Sequence, residues 1–185
     1  MTEDEAASGV HATAVVYGEY GVLIVGPSGA GKSALALALL SLADCRGFFA
    51  ALVGDDRVYL QNRSGRLVAS GATHMSGLIE RRFAGLTVVK SEPAVVVRVV
   101  ADLSGRGKSW PRWPQAEAET CLLADVRIPR LALDSGAAVD QAAAVDQWLK
   151  FAKSAQMAGK RISLEQFAAL HKNEGLTTRH NQNDA

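Results

Sequence analysis

The stretch Gly26-Pro27-Ser28-Gly29-Ala30-Gly31-Lys32-Ser33 satisfies the pattern G-x-x-x-x-G-K-[ST], and its flanks are the ones that pattern needs. Residues 22–25 before it are an apolar run, three of its four residues β-branched, that reads as a strand, and residues 33–42 after it read as a helix. A polyphosphate has to be wrapped by backbone N–H groups. Glycines permit the close approach and the unusual dihedrals, while the helix start adds unpaired N–H groups and the positive end of its dipole. Lys32 would neutralise the β- and γ-phosphates, and the Ser33 hydroxyl would complete a magnesium shell. Gly26, Pro27, Ser28, Gly29, Ala30, Gly31, Lys32 and Ser33 are therefore expected to hold ATP and Mg2+. The loop is silent on what receives the phosphate.

Working outward, residues 12–17 form a strand that joins the 22–25 strand as a hairpin across 18–21. Leucines and alanines surround most of the 33–42 helix, which predicts that a sheet covers it. Residues 48–53 have the unbroken apolar character of a buried strand. Strands 58–61 and 66–69 flank the turn Asn62-Arg63-Ser64-Gly65. Further strands are expected at 86–89, 94–100 and 128–133, with a long alanine-rich helix over 137–158. Residues 102–115 read as a functional or disordered loop. Ser163-Leu164-Glu165-Gln166 fits a capping box that opens a short helix to about Leu170, followed by a polar tail. The chain thus divides into a flexible 1–10, an α/β P-loop domain over 11–160 with a mixed sheet and a helical C-terminal end, and a short helix and tail over 161–185.

At the end of the 48–53 strand the chain turns polar, at Gly54-Asp55-Asp56. A carboxylate at a strand end beside a phosphate loop supplies hard oxygen to a cation. Adjacent side chains at a strand end point in different directions. One aspartate can therefore face the metal while the other faces an incoming hydroxyl as general base.

The sequence resembles the catalytic domain of HPr kinase/phosphorylase, the bacterial enzyme that acts on a serine of the phosphocarrier protein HPr. His11 stands before the loop as the family's histidine does, and residues 17–26 match the hairpin between them. Leu52-Val53-Gly54-Asp55-Asp56-Arg57-Val58 is similar to the family's Leu-Val-Ala-Asp-Asp-Arg-Val, and Gly77-Leu78-Ile79-Glu80-Arg81-Arg82 to its Gly-Leu-Leu-Glu-Ile-Arg. The match runs from about His11 to Leu133 without the family's N-terminal domain, as in the short alphaproteobacterial forms. The resemblance implies a P-loop fold related to phosphoenolpyruvate carboxykinase, an ATP- and Mg2+-dependent serine kinase, and HPr as protein partner. It further implies a hexamer.

Residue by residue, the resemblance implies Asp55 as base toward the serine hydroxyl, with His11 hydrogen-bonding near it. Ser33, Asp56 and Glu80 would serve the metal. Arg82 falls on a motif arginine that stabilises phosphoryl charge, and Arg112 aligns with another after a one-residue shift. Residues 131–140 depart from the signature on which the family's reverse, phosphorolytic direction rests, and Ala34 replaces its usual acidic residue. A small-molecule kinase and a non-catalytic ATP-sensing module are the alternative readings.

Composition sets outer bounds. The chain has 185 residues, 48% of them hydrophobic, and a formal net charge of +1, which carries neither the basic footprint of a nucleic-acid binder nor the acidity of a disordered chain. The acidic N-terminus lacks a signal peptide's pattern, and no apolar run reaches membrane-spanning length. The expected location is the cytoplasm, with no nucleic-acid or membrane partner. Cys45 and Cys121 are too few for a disulfide framework and are expected to be small buried hydrophobes.

Overall fold

The structure, a computed structural model, describes residues 8–72, 77–81, 85–103, 120–134 and 136–157. Strands β2 (Thr13–Tyr17) and β3 (Tyr20–Val25) form the expected hairpin, and β3 leads through the glycine-rich loop into helix α1 (Lys32–Cys45). β4 (Ala50–Gly54) pairs with the other edge of β2. β5 (Val58–Arg63) and β6 (Arg66–Gly71) form the second expected hairpin, whose turn places Ser64 and Gly65 at positive φ and is closed by Gly65 N–H donating to Asn62 Oδ1 at 2.9 Å. Such a turn suits the twist of the strands it joins. β9 (Ala94–Asp102) completes the centre, and α2 (Ala138–Met157) is the expected C-terminal helix.

β9 organises the mixed sheet because its partners change along its length. One edge runs parallel to β3. The other is antiparallel to β6 over Ala94–Val96 and then parallel to β11 (Val126–Ala132) from Val100 to Asp102. With β1 (Ser8–Val10) at one edge, the strand order is β1-β5-β6-β9-β3-β2-β4, and β10 (Thr120–Leu123) is joined through β11. Handing one edge from β6 to β11 splits the sheet there and lets it curl. Side chains alternate along the central strands, so both faces are buried. Val15, Val22, Ile24, Leu52 and Val99 face a core made with α1, α2 and Trp148. Ala14, Val16, Leu23, Val53 and Val97 face a second core closed by Leu60, Leu67 and Ile128 from the flanking strands.

Three short strands lie outside the sequence expectation: β1 (Ser8–Val10), β7 (Leu78–Arg81) and β10. β1 pairs with β5, so Ser8–Val10 is ordered by a sheet edge within a segment expected to be flexible. β7 pairs with β8 (Gly85–Val88), and Ile79 anchors that hairpin in the α1 core. β10 and β11 meet through Ala124 and Asp125, both at positive φ, a turn without the usual Asn-Gly signature. The 48–53 strand begins only at Ala50, leaving Phe49 exposed, and α1 buries one stripe, Lys32, Leu35, Ala36, Leu39 and Ala43. Cys45 is exposed rather than buried, because it closes α1 away from that stripe; Cys121 is partly buried. The expected helix and tail after 160, and the loop from 104 to 115, lie outside the described residues. Among the described residues no helix is long and apolar enough to cross a membrane.

A buried carboxylate ties the two helices to the sheet. Asp146 of α2 accepts from Tyr17 Oη at 3.0 Å and pairs with Arg46 at the end of α1 and with Lys150 at 3.0 Å. Burial alone would raise its pKa, but the hydrogen bonds from Arg46, Lys150 and Tyr17 outweigh that and hold it below the usual aspartate range.

The curl is closed where β4 meets β6. A Cβ on Gly71 would overlap the Val53 carbonyl oxygen, whereas one on Gly65, at φ +79, meets nothing within 4 Å. Gly71→Ala should therefore lower unfolding free energy by about 3 kcal/mol through overpacking. Gly65→Ala should cost only about 1 kcal/mol of backbone strain. Urea unfolding of the two variants checks the order, and an equal loss would show that the β4–β6 approach is not tight.

Candidate active site

β3 delivers the loop and β4 the aspartates to the same end of the sheet, since both strands flank β2 with their C-termini together. Gly26, Gly29 and Gly31 sit at φ +150, +74 and +101, conformations that L side chains rarely adopt. Ala30 N–H donates to Pro27 O at 3.1 Å and folds the loop back on itself. Gly31 caps α1 with no side-chain hydrogen bond and no acidic residue follows in the first turn, so the helix start retains its positive end toward the loop.

Lys32 lies across this loop with only 6% of its surface exposed. Its Nζ donates to Gly26 O and Pro27 O, each at 3.1 Å, and contacts His11 Nε2 at 2.8 Å. An ammonium has only donors. His11 therefore accepts at Nε2 and carries its proton on Nδ1, where it meets the Asp56 carboxylate at 2.9 Å and the Asp56 carbonyl at 3.1 Å. Burial pulls the Lys32 pKa below the usual lysine range, while the fields of Asp56 and Asp55 oppose that shift.

The two aspartates have separate surroundings. Asp55 accepts the Ser33 hydroxyl, which lies 3.0 Å from both carboxylate oxygens, and the Thr13 hydroxyl at 2.6 Å. Thr13 is fully buried on β2. Asp56 points the other way, its side chain 81% exposed. Arg57 N–H donates to Asp55 O at 2.8 Å across Asp56, whose φ of 65 makes this a tight three-residue turn. A non-glycine residue held in that region is strained, and such strain collects at functional sites.

His11 was expected beside Asp55 and stands beside Asp56 instead. The positive φ of Asp56 turns its carboxylate out to the exposed ring, while Thr13 and Ser33 occupy the oxygens of Asp55. Likewise Ser33, expected to share a metal with Asp56, is bonded to Asp55. Glu80 is exposed on β7, opposite Leu86. Among the described residues no three His, Cys, Asp or Glu side chains gather closely enough to hold a metal ion, so Glu80 does not join the aspartates in this structure. Arg82 and Arg112 lie outside the described residues. Thr13 escaped sequence reasoning; its one signal is a hydroxyl in an otherwise apolar strand.

Residues 4–93 match the family model described as the HPr Serine kinase C-terminal domain. A comparison with curated proteins finds no match. Among solved structures the chain is similar to the "Hpr(Ser) kinase/phosphatase from Coxiella burnetii", at 22% sequence identity and a TM-score of 0.62 over 78% of this chain and 98% of that one. That likeness establishes the shared fold, a curled mixed sheet backed by a C-terminal helix. Residues 4–93, which carry His11, the glycine-rich loop and both aspartates, are the part of the chain that is similar to the HPr Serine kinase C-terminal domain family.

Proposed function

We propose that this chain is an ATP-dependent serine kinase whose protein substrate is an HPr-type phosphocarrier. The observation that carries this reading is the division of the two aspartates: one bound to the hydroxyl that follows the loop lysine, the other turned outward against His11. The oxygen donors fit a hard cation. Ser33 and Asp55 would hold Mg2+, which when bound would neutralise charge on the transferring phosphoryl group. The positive-φ glycines, the uncapped start of α1 and Lys32 suit a polyphosphate.

In this reading the serine oxygen forms a bond to the γ-phosphorus as the bond from that phosphorus to the β–γ bridging oxygen breaks, and ADP carries off the electron pair. The hydroxyl proton passes to Asp56. This reverses the roles that the family resemblance implies for the pair. Asp56 is the better base because its carboxylate is accessible to a protein hydroxyl, whereas Asp55 is committed to Ser33 and Thr13. His11 orients Asp56 and, through its other nitrogen, registers the position of Lys32.

Incubation with labelled ATP and the HPr-type carrier should label a carrier serine, and Lys32→Met should abolish this. ATP binding without labelling of any carrier serine would sink the kinase reading. The two aspartate variants should then part company. Asp56→Asn is expected to keep Mg2+-dependent ATP affinity and lose about a hundredfold or more in kcat; Asp55→Asn is expected to lose the Mg2+ dependence of ATP binding itself. The opposite pattern would return the base to Asp55.

Thr13→Val should keep the fold and weaken Mg2+ affinity about tenfold by removing the hydroxyl that holds Asp55, with Thr13→Ser restoring it. Titration of Mg2+ at saturating ATP reads this directly, and unchanged affinity in Thr13→Val would leave that hydroxyl a purely structural role.

A further inference from the structure

An ammonium carries three N–H donors and no acceptor. Lys32 spends all three inside the chain, on Gly26 O and Pro27 O at 3.1 Å each and on His11 Nε2 at 2.8 Å. A phosphate oxygen can therefore meet this ammonium only by taking the place of one of the three acceptors. They are not equally replaceable.

The two carbonyls belong to the frame of the loop itself. Pro27 O also accepts from Ala30 N–H at 3.1 Å, and Gly26 is pressed against Leu103, whose Cβ lies 3.0 Å from where a Cβ on Gly26 would stand. His11 reaches Lys32 from outside that frame. It stands in the bend between β1 and β2 with its side chain 48% exposed, so water can take over Nε2 once the ammonium leaves. An ammonium also binds an anionic oxygen more strongly than a neutral ring nitrogen. Of the three acceptors, His11 is the one that yields.

The other ring nitrogen carries the consequence. His11 Nδ1–H is shared between the Asp56 carboxylate at 2.9 Å and the Asp56 carbonyl at 3.1 Å, so one ring fixes both the side chain and the backbone of the residue at φ 65. With Lys32 on Nε2 the ring is clamped at both ends, and without it the ring pivots on Asp56 alone. We infer that His11 is a positioning residue that couples the two halves of the site: a phosphate held by the loop takes Lys32 from His11 Nε2, and release of that end of the ring frees the Asp56 carboxylate to turn to the hydroxyl of the incoming serine. This rests on the reading of the loop as a polyphosphate site and of Asp56 as the base. Coupling of binding is reciprocal, so a carrier engaged at Asp56 strengthens nucleotide binding by the same factor.

The test uses the full chain, Mg2+ with the non-hydrolysable analogue AMP-PNP, and the HPr-type carrier. The first readout is the NMR signal of the His11 ring nitrogens, assigned with His11→Asn and recorded at alkaline pH, where an imidazole is neutral. AMP-PNP should move the Nε2 signal saturably to the position it already has in Lys32→Met, while Nδ1 stays protonated. If calorimetry shows AMP-PNP bound and Nε2 does not move, the inference alone is overturned; if AMP-PNP does not bind, the polyphosphate reading falls and the inference with it. The second readout is carrier affinity, which AMP-PNP should raise about fivefold or more. His11→Asn replaces the ring by a shorter amide that can donate toward Asp56 but does not span to Lys32. It should bind AMP-PNP more tightly and bind the carrier equally with and without it. A wild-type carrier affinity indifferent to AMP-PNP, or a gain that survives in His11→Asn, would overturn the coupling.

Discussion

Asp55 receives hydroxyl hydrogen bonds from two different elements at once: Thr13 on β2 and Ser33 in the first turn of α1. It sits at the end of a third element, β4, so a single carboxylate fixes the mutual position of strand, helix and strand. A partly buried acceptor bonded by two donors is best satisfied when both arrive, and that condition orients α1 toward the strand ends. The loop between β3 and α1 then has little freedom left. Its glycines take up the conformations that the short path requires.

Lys32 shows how much of the site is organised by electrostatics rather than by packing. It starts the buried stripe of α1, so its stem is held by the core while its ammonium is carried into the loop. Two backbone carbonyls and a histidine nitrogen compensate for the lost water. Asp55 and Asp56 supply the opposing charge from outside the direct contacts. The same logic recurs at Asp146, where burial is offset by three donors and the consequence is a brace between the two helices.

The loop, both tight hairpins and the two helices were legible in the sequence because each is announced locally, by glycine spacing, turn residues or apolar periodicity. β1, β7 and β10 were not, since three or four residues carry little pattern and their pairing depends on distant partners. The aspartate pair was legible as a pair. Which member met His11 was not, because that depends on the positive φ of Asp56, a backbone state nothing in the residue type dictates. Thr13 was hidden for a related reason: its value comes from a neighbour 42 positions away. Arg82 and Arg112, read from motif position alone, fall outside the described residues.

Gly54 and Gly71 touch across the curl, so that a Cβ on Gly54 would come within 2.9 Å of the Gly71 Cα. The similar family text carries alanine at the first of these positions. This chain therefore cannot drift to that alanine by a single substitution without displacing the backbone that leads into Asp55. The two glycines are sterically coupled, and a side chain added on the hairpin strand β6 displaces the backbone at the phosphate end. A hairpin outside the polar site in this way helps set where that site's backbone runs.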